Sequence, residues 1–165
     1  EHLSEKIHKT SRDVIESLSE IVWTVNPKND SLLNLLSYIR HYAGKYFDAT
    51  SISNTVEISW KDEEQKKNEI NPEVKRNLLM IVKEALNNIV KHSGATSCII
   101  NILVDESALH LVVKDDGNGL PVPVESSTGN GLKNMKKRTE EIHGEFTFHS
   151  DGISGTIISV RIPLT

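Results

Sequence analysis

The stretch from Asn71 to Gly94 constrains this chain more than any other. Asn71-Pro72-Glu73 sets a capping amide, a proline at the first helical position and an acid in the first turn, and Ser93-Gly94 supplies the stop. At about 100° per residue Leu78, Val82, Ala85, Leu86 and Ile89 share one face, while Glu84, Asn88, Lys91 and His92 lie within roughly 100° on the opposite one. The spacing predicts a helix that packs its apolar stripe on another layer and keeps a mixed polar face. A carboxylate, an amide four residues on and a lysine three beyond that offer a proton acceptor, an oxygen for a hard cation and a cation for phosphate. Read alone, the same pattern is equally a solvated face with an i,i+4 pair.

Around this helix the periodicity alternates. Leu3 to Val25 recurs at helical spacing and is stopped by Asn26-Pro27. Asn29-Asp30-Ser31 can cap a second helix carrying Leu32, Leu33, Leu35, Leu36, Ile39, Tyr42, Ala43 and Phe47. Thr55 to Trp60 alternates with period two as a strand does, and the charged run Asp62 to Asn68 reads as a solvated turn. Cys98–Val104 and Ala108–Lys114, joined by Asp105-Glu106-Ser107, predict an antiparallel pair. Residues 115–131 have no regular period and hold four glycines, so they form a long loop of the kind that usually has a function. Leu132 to Ile142 is a helix closed by His143-Gly144, followed by strands at Glu145–His149 and Thr156–Ile162 with a turn at Asp151-Gly152. Antiparallel hairpins with helices on one face give a two-layer α/β sandwich. Trp23, Trp60, Phe47 and Tyr42 are expected to pack, His41 and His110 to lie on the surface or a strand, and Cys98 to be a buried strand thiol.

Composition removes several function classes. At 165 residues the chain makes one domain, and its single cysteine builds no disulfide framework. With 19 Lys+Arg against 23 Asp+Glu it lacks the basic stripe of a nucleic-acid binder. No apolar run approaches the roughly 18 residues that span a bilayer, and no signal peptide opens the sequence. The chain opens at Glu1 in a helical pattern, so it is expected to be a piece of a longer protein, with room in the remainder for a membrane anchor. No stretch fits Gly-x-x-x-x-Gly-Lys-Ser/Thr, and neither Gly117/Gly119 nor Gly129/Gly131 is followed three residues on by a third glycine. There is no Gly-x-Ser-x-Gly elbow, and the seven histidines show no metal-ligand spacing.

Two further clusters carry chemistry. Asp115-Asp116-Gly117-Asn118-Gly119-Leu120 follows a strand directly, and an aspartate so placed can set a carboxylate oxygen against a flat donor-bearing ligand such as adenine. Gly129-Asn130-Gly131-Leu132 opens the next helix, whose free amides are phosphate donors. Each alone is equally a turn or a Gly-rich helix start.

Together these clusters resemble a known family. Glu84-Ala85-Leu86-Asn87-Asn88-Ile89-Val90-Lys91-His92, then Asp115-x-Gly117-x-Gly119, then Gly129-x-Gly131-Leu132 with Met135 and Arg138, are similar to the N, G1 and G2 boxes of the catalytic ATP-binding domain of sensor histidine kinases, in their nitrate-sensor-like branch. Gly155-Thr156 and the junction Glu20 to Asp30 match as well, so the resemblance spans essentially the whole chain. It implies a Bergerat-type α/β (α+β) fold, a mixed sheet with helices on one face. Residues 1–26 would end a dimerisation or linker helix, and 27–165 would form the catalytic ATP-binding domain.

The resemblance also implies roles. Asn88 looks like the Mg2+ ligand, Lys91 and His92 like phosphate contacts beside Asn87, and Asp115 like the adenine reader. Gly117, Gly119, Gly129, Gly131 and Leu132 would shape a lid and bring amides to the phosphates, and Thr156 would bond the purine edge through water. Glu84 holds the position that activates water in related ATPases, and in a kinase it would orient solvent or metal. The implied activity is a protein histidine kinase that passes the γ-phosphate of ATP to a histidine on the dimerisation helix of a homodimer, then to a response regulator. Its place would be the cytoplasmic side of an inner-membrane sensor, with no contact to membrane or nucleic acid. His8 precedes Lys9, outside any phosphoacceptor motif, so the acceptor is expected beyond this stretch and the chain is expected to bind ATP yet label itself poorly. A same-fold ATPase or anti-sigma-type serine kinase, and a non-catalytic nucleotide-binding module, are the competing readings.

Overall fold

The computed structural model describes residues 11, 14, 18, 19, 21–119, 130–150 and 152–164. Residues 21–25 are helical, and the side chain of Asn26 then accepts from Lys28 N (3.1 Å) to start a 3-10 turn, Pro27–Asn29. Ser31 Oγ accepts from Asn34 N at the head of α1, Leu32–Asp48. Strand β1 is Ser53–Trp60, and Asn71 Oδ1 accepts from Glu73 N (2.8 Å) at the head of α2, Pro72–Asn88. Strands β2 (Ser97–Val104) and β3 (Ala108–Asp115), helix α3 (Asn130–Glu141), and strands β4 (Glu145–Ser150) and β5 (Thr156–Pro163) complete the order. Most of the helix read from Leu3 and the segment 120–129, which includes Gly129, lie outside the described residues, as does Asp151.

The five strands form one sheet in the order β1-β2-β3-β5-β4. All neighbours are antiparallel except β1 and β2, which run parallel with Ser53 opposite Ser97. Hairpins alone therefore do not build it: α2 is the crossover that a parallel pair requires. One sheet face is apolar by strict alternation, with Ile100, Ile102 and Val104 of β2, Leu109, Leu111 and Val113 of β3 and Ile158, Val160 and Ile162 of β5 all buried. Leu35, Leu36 and Ile39 of α1, Leu78, Val82, Ala85 and Leu86 of α2 and Met135 of α3 are buried in the same cluster. The result is a two-layer sandwich with its helices on one face, as both readings of the sequence required.

Local chemistry departs from the pattern in four places. Leu33 is exposed, because the second apolar position of α1 turns away from the sheet. The run Asp62 to Asn68 is a 3-10 turn, Glu63–Lys67, that buries Gln65. His143, and not Gly144, takes the left-handed conformation after α3 (φ 57°). Gly144 is needed for space, since a Cβ there would stand 2.6 Å from Arg161 O. Helix α2 ends at Asn88, and its chain continues as a π turn, Ile89–Ser93, closed by Gly94 in the left-handed region.

Two polar features are buried at a cost. Lys75 is fully buried, its Nζ 2.5 Å from Asp30 Oδ1 and 5.3 Å from the ring centre of Trp23. Trp23 stacks on Tyr38 at 4.1 Å, and Tyr42 and Tyr46 continue the file along α1 at helical spacing. The Lys75 pair thus ties the 3-10 turn before α1 to the first turns of α2. Asn77 is also fully buried; its Oδ1 accepts from Arg138 Nη1 (3.1 Å), while its Nδ2 has no partner among the described residues. Leaving such a group unpaired costs about 1–3 kcal/mol. No helix among the described residues is long and apolar enough to cross a membrane.

Removing one member of a buried ion pair strands the other charge. Asp30→Ala is expected to lower stability by about 3 kcal/mol, and adding Lys75→Met to recover most of that loss. Urea unfolding of the single and double variants checks this; equal losses in both would refute it.

Candidate functional site

A cavity of about 480 Å³ opens between α2, the π turn, the start of α3 and the adjoining ends of β3, β4 and β5. Glu84, Asn87, Asn88, His92 and Ser93 line it from one side, Asn130, Gly131 and Leu132 from the second, and Asp115 and Thr156 from the sheet. The register places the last two side by side, Asp115 opposite Thr156 across β3 and β5.

Asp115 is only 4% exposed. Burial pushes its carboxyl above the usual range, and the amide of Gly117, donating to Oδ1 at 2.9 Å, offsets this in part. The packing around it explains two glycines: a Cβ on Gly117 would collide with Ser93 O, and one on Gly155, at φ +93°, with Asp115 O. The neighbouring Asp116 is bound differently. It is exposed, and its carboxylate accepts from Thr96 N and Ser97 N (2.8 Å each) and from Thr96 Oγ1 (2.7 Å). Those donors hold its carboxyl far below the ordinary range, so the pair splits its work. Asp116 pins the loop to β2, which leaves Asp115 free to face the cavity. Cys98, across from Asp115 in the β2–β3 register, is buried, and burial first, then Asp115 and Asp116, pushes its thiol up to about 12.

The π turn decides which of the two basic side chains, Lys91 or His92, reaches the site. In an α-helix Lys91 would lie about 20° from the direction of Glu84 and His92 about 80° from it. At the roughly 80° per residue of an i→i+5 turn, position 92 comes round to Glu84 while position 91 falls about 75° short. His92 lines the cavity, whereas Lys91 is exposed and outside the lining. Ser93 Oγ donates to Ile89 O (2.7 Å) and accepts from Ala95 N (3.0 Å), and Ser93 O accepts from Asn118 N (2.8 Å), which fastens the turn to the Asp115 loop.

The start of α3 sits directly over α2. A Cβ on Gly131 would collide with Glu84 Oε1 and lie 3.4 Å from Asn88 Nδ2, so any larger residue here would have to displace the Glu84 carboxylate from its place on the cavity wall. Gly119 takes φ +68°, where a Cβ would stand 2.7 Å from Ser150 Oγ. Of the positions singled out in the sequence, Glu84, Asn87, Asn88, His92, Asp115, Gly119, Gly131, Leu132 and Thr156 meet in this cavity. Gly117 stands behind Asp115, Lys91 is outside the lining, and Gly129 lies outside the described residues.

Sequence reasoning passed over the apolar wall. Ile89, Val113, Phe148 and Ile158 line the same space beside Asp115, a slot suited to a flat ring with one polar edge. The alternation of β4 already turned Phe146 and Phe148 inward, and that signal could have found Phe148. Tyr46 OH approaches Asn87 Oδ1 at 3.5 Å, so the aromatic file of α1 ends at the cavity wall.

Comparison with known proteins agrees with this geometry. The profile of the family described as histidine kinase-, DNA gyrase B-, and HSP90-like ATPase matches residues 73–165. The chain is 38% identical over 95 residues to the sensor histidine kinase YvfT of Bacillus subtilis, covering 58% of this chain and 24% of that protein. It is 28% identical over 157 residues to the signal transduction histidine-protein kinase/phosphatase UhpB of Salmonella typhimurium, covering 95% and 30%. It thus spans about a quarter to a third of the length of these relatives. Among solved structures the histidine kinase AdeS of Acinetobacter baumannii superposes with a TM-score of 0.64 at 15% identity, over 98% of this chain and 85% of that one. The histidine kinase domain of the Erythrobacter litoralis blue-light activated kinase gives 0.61 at 20%, over 79% and 61%. At these identities the structural likeness is one of fold.

The two aspartates oppose each other in pH dependence. Asp116, lowered in the folded state, contributes stability above the ordinary aspartate range and loses it as pH falls; Asp115, raised, contributes below that range and loses it as pH rises. Thermal melting from pH 7 to pH 3 is expected to show Asp116→Asn less acid-sensitive than the parent chain, and Asp115→Asn more so. Parallel curves for all three would refute the assignment.

Proposed function

The chain belongs to the family of histidine kinase-, DNA gyrase B- and HSP90-like ATPases, and from that footing we propose that its cavity holds Mg-ATP and presents the γ-phosphate to a histidine on a dimerisation helix. The observation that carries this is the meeting, in one cavity, of a buried carboxylate beside an apolar slot with the Glu84–Asn88 edge of α2 and the amide end of α3.

Each residue has work that its position supports. Asp115 accepts from the exocyclic amine of adenine, with Thr156 next to it bonding the purine edge through water, while Ile89, Val113, Phe148 and Ile158 cover the ring. Gly117 and Gly119 let the backbone close around the base. Asn130, Gly131 and Leu132 bring the α3 amides to the phosphates, continued by Gly129. His92 meets them from the cavity wall, Lys91 is the second basic residue on the same turn, and Asn87 lies between them and α1.

Magnesium fits this donor set. Among the described residues no three His, Cys, Asp or Glu side chains gather to hold a metal. Asn88 and Glu84, one turn apart on the cavity wall, offer one amide oxygen and one carboxylate. Such a sparse, hard set suits an ion that keeps waters and takes its other oxygens from phosphates. When bound, that ion neutralises phosphate charge; Asn88 is its ligand, and Glu84 orients the solvent around it. Phosphoryl transfer needs positioning and charge compensation more than covalent help, and this wall supplies both.

In the whole protein the histidine is that of a homodimer's own dimerisation helix, and the phosphate passes on to a response regulator from a cytoplasmic domain of an inner-membrane sensor. Residues 1–26 form the end of that helix and 27–165 the catalytic domain. Val14, Leu18, Ile21, Val22 and Val25 support this: each is more than half exposed, at spacings of four, three, one and three, an apolar stripe with no cover among the described residues.

Asp115→Asn is expected to weaken ATP binding roughly 10- to 100-fold, equivalent to about 1.5–3 kcal/mol, with the fold intact. Asn88→Ala is expected to abolish the part of the affinity that depends on magnesium. Calorimetric titration of ATP with and without the metal measures both, and unchanged affinity in Asp115→Asn would overturn the site assignment.

A further inference from the structure

The one polar bond between α2 and α3 among those described lies outside the cavity, and its position gives it a purpose. Asn77 and Arg138 bond across the two helices at 3.1 Å, and Glu84 and Gly131 approach each other at the cavity. Asn77 precedes Glu84 by as many residues as Gly131 precedes Arg138, so the two meeting points stand two helical turns, about 10.5 Å, apart on both helices. That equality is the condition for two antiparallel helices in register. On α2 the stripe runs Asn77, Ile81, Glu84, Asn88 at spacings of four, three and four; on α3 it runs Gly131, Met135, Arg138 at four and three.

A slip of α3 by one residue would move it about 1.5 Å and turn its side chains by about 100°. Gly131 would then leave its place over Glu84 and Asn88, and a residue with a Cβ would face them. Burial of Met135 opposes a full step of this kind, which would turn it out of the core, but apolar contact lacks direction against a smaller shift. A single directed bond does resist it. The energetics point the same way: Asn77 is wholly buried and its Nδ2 has no partner among the described residues, where a leucine would carry no such penalty. Arg138 is only half-buried, so its charge is not what requires the pair.

We infer that Asn77 and Arg138 are positioning residues: their bond sets the register of α3 on α2 and so holds Gly131 and its neighbouring amides over Glu84 and Asn88. The nucleotide part of this inference rests on the function proposed above; the register part does not.

The test separates register from stability. Asn77→Leu removes the bond and the unpaired amide together, so its melting temperature is expected to equal or exceed that of the parent chain. Its affinity for Mg-ATP, by calorimetry, is expected to fall at least tenfold, and Gly131 and Leu132 amides are expected to exchange hydrogen faster without nucleotide. Asn77→Asp keeps an acceptor for Arg138 and is expected to stay within about threefold of the parent. Arg138→Met, which keeps the packing stem, is expected to behave as Asn77→Leu. Parent-like affinity and exchange in Asn77→Leu would overturn the inference, as would an affinity loss that only follows a loss of folded protein. If the parent chain took up no ATP, the proposed function would fall, and the exchange measurement alone would decide the register.

Discussion

Burial of the Asp115 side chain is the constraint on which the site depends. A carboxylate pushed into a sheet end needs donors, and the structure supplies the amide of Gly117 at 2.9 Å. That bond requires the chain to turn back at once, which brings Gly117 against Ser93 O and leaves no room for a Cβ. The same crowding fixes Gly155 on the adjacent strand against Asp115 O. Two glycines thus share one cause, and the same carboxylate adds to the burial that raises the Cys98 thiol. Desolvation outweighs the donors present, which is why the Asp115 carboxyl stands above the usual range. A group that donates to Asp115 through the cavity would complete the set, which is the usual economy of a preorganised site.

The fold was legible where one residue decides one local event. Asn71 and Ser31 cap because their side chains reach an amide two or three residues on, and no distant contact is involved. Strand alternation was equally readable, since burial follows it position by position in β2 and β5. What escaped were features set by several elements at once. The parallel pairing of β1 with β2 depends on where α2 lands. The left-handed turn falls on His143, while Gly144 is taken up by its close approach to Arg161 O on β5, a contact between distant segments. The π turn is stabilised by Ser93 bonding both to Ile89 O and to the Asp115 loop, a contact between segments far apart in the chain.

The candidate site divides in the same way. Its polar members could be named because each polar type has few uses at such spacing and the three boxes came in order. Its apolar members were harder to single out: alternation turns Phe148 inward, but Val113, Phe148 and Ile158 follow the same pattern as core residues that never meet the cavity. Lys91 shows the limit of helical-wheel reasoning: the wider i→i+5 turn carries it away from Glu84 and brings His92 round in its place. Asn77 shows another, since a lone polar residue within an apolar stretch gives no sign of the partner it finds on α3.

The parallel pairing of β1 also sets an order of assembly. β2 and β3 are joined by a three-residue turn in which Asp105 Oδ1 accepts from Ser107 N and Ala108 N at 2.9 Å, so this hairpin closes from local contacts alone. β1 has no such neighbour and reaches β2 only across residues 61–96, with all of α2 between them. Loop-closure entropy favours the hairpin first and the β1–β2 ladder after α2 has settled on the sheet. Helix α2 is then a shared intermediate of folding and of function: the segment that must be in place before the sheet can be completed is the one that lines the cavity. Variation in its inward face is constrained twice, by the rate at which the domain forms and by the shape of the space it leaves.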